Sequence, residues 1–160
     1  MYDHAESIPK MFELVKKLVE HRLRKHRAGL MLGMTDLGIT NNGFVGAYFT
    51  VGSNAIIVNR QALNAVQAGN PDLYKPYMFY ILMHEYIHSL GYTDEAETRS
   101  IAAGICRYAF GRNHDVTRIA SDFSGMLNDI VMPKYGEIKP YDGTIELIAG
   151  FDQSSTSYIQ

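Results

Sequence analysis

His84-Glu85-Tyr86-Ile87-His88 carries a mechanism in its spacing. On an α-helix, residues four apart lie one above the other, so the imidazoles of His84 and His88 point the same way. Two imidazoles from one turn can grip a single divalent ion. Glu85, about 100° around the helix from His84, then stands beside the ion without having to bind it. A carboxylate in that place is a base for water on the metal. With 6 His and 8 Glu in 160 residues, a shuffled chain shows this pattern about once in a hundred trials.

The flanking residues agree with a buried helix. Tyr77-Met78-Phe79-Tyr80-Ile81-Leu82-Met83 leads into the motif, and Ile87 and Leu90 continue the apolar positions. Pro76 suits a first helical turn, and Gly91 suits a left-handed residue just past the end. Two imidazoles and a carboxylate embedded in apolar surface are costly without partners. Zn2+ is the cofactor this donor set implies. The alternative is an ordinary helix with three polar residues facing solvent.

These elements must position the motif. Ser7-Ile8-Pro9 opens a first helix, and from Lys10 to Arg27 the apolar residues Met11, Leu14, Val15, Leu18, Val19 and Leu23 recur at helical spacing. Its other face carries Lys10, Lys16, Lys17, Arg22, Arg24, Lys25 and Arg27; this is either a solvated face or a patch for nucleic acid. Leu30 to Met34 is a short apolar run between glycines, followed by a turn at Asn41-Asn42-Gly43. Phe44 to Val51 and Ala55 to Val58 are rich in aromatic and β-branched residues, with Gly52-Ser53-Asn54 between them, which predicts a hairpin. A short helix is expected over 61–68, the motif helix over about 73–90 and a third long helix from Asp94 to Phe110, with Asp94 and Glu97 as a capping box. Another helix is expected from Asp115 to Ile130, and one strand over Thr144 to Ile148. Residues from about 150 to 160 read as a mobile tail. Strands precede the motif helix and helices follow it. The expected class is α+β: an N-terminal helix, a short, mainly antiparallel sheet, the active-site helix, then further helices.

At 160 residues the chain reads as one domain, 1–160, able to bury roughly 70% of its extended surface. Hydrophobic content of 46% and charged content of 20% are those of a soluble globular protein. One cysteine, Cys106, excludes an internal disulfide. The first residues lack the pattern of a signal peptide, and no apolar run approaches the ~20 residues that span a bilayer. The expected location is cytoplasmic, with no membrane partner. Oligomeric state is not encoded in any pattern here.

A working zinc site takes three protein ligands and leaves one position open. Asp94, Glu95, Glu97 and His114 are the nearby candidates for the third. In a first helical turn Glu95 leans back toward the motif. Asp94 as a cap would have its oxygens occupied, and Glu97 serves as the reciprocal cap. His114 lies a helix of roughly 24 Å away. Glu95 ranks ahead of Asp94, and one of the two is the expected ligand.

His84-Glu85-x-x-His88 resembles the signature of the zincin metallopeptidases. His84 to Asp94 is similar to the elongated metzincin motif in a version that ends on aspartate, which implies Asp94 as ligand. Glu95 to Ala102 instead resembles the glutamate helix of gluzincins, which implies Glu95. Either resemblance implies a small zincin-like peptidase domain that acts on a peptide or protein substrate, with His84 and His88 as zinc ligands and Glu85 as general base. The oxyanion would need a second stabiliser, for which Tyr86, Tyr92, Tyr108, Tyr135, Tyr141 and Arg99 are suitable in type. Strand 44–51 is the candidate edge for pairing with an extended peptide. Two rivals remain at this point. One is a metal-dependent RNA-processing protein, motivated by the basic helix; a bacterial family of that kind has the same ligand spacing but Gly where Glu85 stands. The other is a non-catalytic domain held together by zinc or by no metal.

Overall fold

The computed structural model describes residues 4–133, 136–140 and 143–152. Ten regular elements succeed one another: α1 His4–Leu23, β1 Met31–Thr35, β2 Ala47–Phe49, β3 Ala55–Asn59, α2 Arg60–Gly69, α3 Tyr74–Ser89, α4 Glu95–Phe110, α5 Asp115–Ser121, α6 Phe123–Val131 and β4 Glu146–Leu147. The class is α+β, as expected. The sheet runs β2-β3-β1-β4. Its outer pairings are antiparallel and the central one, β1 with β3, is parallel over five residue pairs. The sheet is therefore mixed. No helix among the described residues is long and apolar enough to cross a membrane.

The motif helix α3 is the spine of the core, touching α1, α2, α4, α5, β2 and β3. Tyr77, Met78, Leu82, Met83, Tyr86 and Ile87 are fully buried along it. Each such side chain stabilises the fold by about 1.5–3 kcal/mol. Gly91 comes next with φ 108°, the left-handed turn that redirects the chain toward α4. Cys106 on α4 packs its sulfur 3.9 Å from that of Met83, and burial pushes its thiol up to about 12.

Several expectations are revised. The first helix stops at Leu23, because Arg24 takes a left-handed φ of 58°. Its inward stripe is Ile8, Phe12, Val15 and Val19, while Leu14 faces solvent. Lys16 does not join a solvated basic face. It is buried, with Nζ 2.6 Å from Asp152 and 2.7 Å from Glu13. Asp152 also accepts from the Leu30 N–H at 3.1 Å, and Phe151 stacks on Phe12 with ring centroids 4.1 Å apart. Residues 151 and 152, counted with the tail on composition, thus belong to the core, since the apolar ring and the ion pair outweigh the polar character of their C-terminal neighbours. Residues 153–160 lie outside the described ones. The ladder of the first hairpin strand spans only Ala47–Phe49, and the helix expected over 115–130 is two helices. Asp122 breaks it: its backbone leaves helical geometry and its side chain accepts from the Gly125 N–H, starting α6 afresh.

Asp152→Ala removes a buried carboxylate from beside a buried ammonium, and urea unfolding is expected to show a loss of about 3 kcal/mol. Adding Lys16→Met in the same background is expected to recover part of it.

Candidate active site

Residues His84 and His88 sit one turn apart on α3, with ring centroids 4.7 Å apart and planes at 86°. Each uses one ring nitrogen within the protein. His88 Nδ1 is 2.6 Å from the Tyr92 carbonyl oxygen, and His84 Nδ1 is 2.7 Å from Glu85 Oε2. A carbonyl only accepts, so His88 Nδ1 is the donor in its contact with Tyr92. The Glu85 carboxylate accepts from His84 Nδ1 in the same way. Both Nε2 atoms then face one carboxylate, Glu95, at 3.2 Å from His84 and 2.5 Å from His88.

A carboxylate beside two imidazole nitrogens is stabilised by positive charge, which ring protons or a divalent cation can supply. Two imidazoles and a carboxylate form the donor set of catalytic zinc sites, which keep a further position open. Glu85 also comes close: one ligand atom each of His84, Glu85 and His88 lie within 4.8 Å of one another. Its oxygen, however, addresses the Nδ1 side of His84 rather than Nε2. Glu95 is the carboxylate on the Nε2 side of both rings, and Glu85, nearly fully buried, is the one on the Nδ1 side of His84.

The supporting groups were not legible as motifs. Thr98, fully buried on α4 three residues after Glu95, donates to the Tyr92 carbonyl at 3.1 Å and so holds the acceptor that orients His88. Arg27 spans the site from behind. Its guanidinium donates to Ser89 O at 3.0 Å and Ser53 O at 2.6 Å and lies 5.2 Å from the centre of the Phe49 ring. Its backbone N–H donates to the Tyr86 hydroxyl at 3.1 Å. Arg27 thereby ties the C-terminus of α3 to the β2–β3 hairpin.

That hairpin forms the rim of a cleft of about 710 Å³ that opens over His84, Glu85, His88 and Glu95. Asn59, fully buried, fixes how the chain enters β2: its side chain accepts from Leu37 and Gln61 and donates to Gly38 and Val45. The Asn59 N–H donates to Gly46 O. Alternation along an antiparallel ladder then makes Tyr48 and Ile57 the next bonded pair, so Ala47 and Phe49 turn their N–H and C=O groups away from β3. β2 is an edge strand, and that edge lines the cleft. Gly46 has no side chain because a Cβ there would meet the Tyr77 hydroxyl at 2.9 Å.

Other candidates fall elsewhere. Asp94 is exposed, forms no side-chain cap, and has no hydrogen bond or ion pair to either imidazole. The capping box with Glu97 does not form: Asp94 holds the N-cap position, but its side chain accepts no hydrogen bond from the first turn. His114 caps α5, its Nδ1 accepting from the Val116 N–H. The Tyr86 hydroxyl is held by Arg27, Tyr92 lies under the Lys25 ammonium, and Tyr108 is 77% exposed and stacks on His21. Tyr135 and Tyr141 lie outside the described residues. Arg99 lines the cleft, 3.6 Å from Glu95. Tyr80, not singled out from sequence, lines it too; its spacing of four from His84 was the available signal.

No family model, no curated protein and no solved structure matches this chain.

Zinc titration of metal-free protein is expected to show one site per chain. His84→Ala, His88→Ala and Glu95→Gln should each weaken it by at least about 100-fold, more than loss of a supporting group does, whereas Asp94→Ala should leave it unchanged.

Proposed function

We propose that this chain is a zinc-dependent peptidase that hydrolyses extended peptide segments, with His84, His88 and Glu95 holding the ion and Glu85 as general base. The observation that carries the reading is the convergence of two imidazole nitrogens and a carboxylate at the floor of a cleft rimmed by an unpaired strand edge. When bound, zinc polarises the scissile carbonyl and lowers the pKa of water at the site toward 7.

The chain's own groups supply the rest. A peptide laid along β2 pairs with the outward N–H and C=O groups of Ala47 and Phe49, which gives affinity independent of side chains and sets the scissile bond above the imidazoles. Glu85, buried and held by His84, takes a proton from the attacking water as its oxygen bonds to the carbonyl carbon. The carbonyl electron pair passes to oxygen. When it returns, the C–N bond breaks and Glu85 hands the proton to the departing nitrogen. Water is thus divided between a new carboxyl group and a new amine.

The basic end of α1 supports a nucleic-acid reading less well. Lys17, His21, Arg24, Lys25 and His26 line a separate groove together with Glu20, and this groove shares no lining residue with the cleft.

Glu85→Gln tests the reading. The variant is expected to hold one zinc per chain while cleavage of an unfolded protein substrate, followed by mass spectrometry, falls by at least about 100-fold. Cleavage at the wild-type rate rules Glu85 out as the base.

A further inference from the structure

Polarising the carbonyl from one side leaves the oxyanion in need of a second donor, and the proposed reaction so far names none. Donors that stabilise developing charge best are rigid, poorly solvated and already aimed. Tyr80 is closely packed, poorly solvated and lines the same cleft. It lies one turn before His84 on the same face of α3, with ring centroids 5.8 Å apart. It is buried except where it lines the cleft, and the Phe123 ring, 5.8 Å away, fixes its other side. Its hydroxyl has no hydrogen-bond partner among the described residues.

We infer that the Tyr80 hydroxyl donates a hydrogen bond to the oxyanion that develops on the scissile carbonyl, making it a second catalytic residue beside Glu85. The assignment rests on the peptidase reading and names a group within the same cleft. A phenol ordinarily titrates at about 10, so the group is a donor at neutral pH. Arg99 is the competitor for the role. It is more than half exposed, and its guanidinium faces the Glu95 carboxylate at 3.6 Å, so its charge is screened and its position less fixed. Tyr77 offers an internal comparison: its buried hydroxyl also lacks a partner, but it lies beneath Gly46, outside the cleft lining.

The test uses zinc-loaded full-length protein and the variants Tyr80→Phe, Tyr77→Phe and Arg99→Met. Tyr80→Phe is expected to lower kcat about 100-fold with KM unchanged. Calorimetry is expected to show the same fold-loss for a peptide phosphonate, which imitates the oxyanion, and none for a product peptide. Zinc content and the melting temperature should match wild type, and Tyr77→Phe should keep its kcat. Wild-type kcat and phosphonate affinity in Tyr80→Phe overturn the assignment, as does a selective loss in Arg99→Met alone. A zinc-loaded wild type that cleaves no peptide sinks the peptidase reading itself, which separates the two failures.

Discussion

The site depends on the orientation of two imidazoles. Tyr92 and Glu85 each engage the Nδ1 of one ring, so both Nε2 atoms turn to the same carboxylate, Glu95. That cluster is stabilised by positive charge, whether from ring protons or from a divalent cation. Most of the surrounding structure fixes those orientations. Thr98 steadies the Tyr92 carbonyl, Gly91 allows the turn that brings Tyr92 under His88, and α4 begins at Glu95, directly beyond that turn.

The proposed hydrolysis needs a substrate held over the imidazoles, and two braces shape the cleft in which that would happen. Asn59 uses both ends of its amide to fix the loop before β2, and Arg27 pins the hairpin beyond β2 to the end of the motif helix. Asn59 is fully buried and Arg27 partly so, and both direct their side-chain bonds at backbone groups. Such networks make geometry rigid. The strand edge and the imidazoles therefore face each other across a fixed gap, a condition for orientation to lower a barrier. The break between α5 and α6 at Asp122 matters for the same reason, since Ser121 to Ser124 close the opposite wall.

Local periodicity made much of this visible in advance. The hairpin, the motif helix and the α+β class emerge from β-branched runs, apolar runs and glycine punctuation, and first-turn geometry points Glu95 rather than Asp94 toward the two imidazoles, where the structure has it. What sequence hid was set by contacts distant along the chain. Lys16 looked like part of a solvated stripe because nothing nearby in sequence announces Asp152, 136 positions later, as its partner. Arg27 looked like the end of the same stripe until the left-handed Arg24 turned the chain back toward α3. The parallel pairing of β1 with β3 could not be read from strands whose composition fits either direction. Tyr80 was hidden differently: inside an apolar helix an aromatic residue is ordinarily core, and only the cleft distinguishes it from Tyr77.

The most direct test of the account is X-ray absorption spectroscopy on protein carrying one zinc per chain. The account expects two imidazole nitrogens and two oxygens at about 2.0–2.2 Å, with one oxygen lost from the shell in Glu95→Ala and the other exchanging for a peptide hydroxamate. A closed shell of four protein ligands that a hydroxamate leaves untouched, or protein that takes up no zinc, contradicts it.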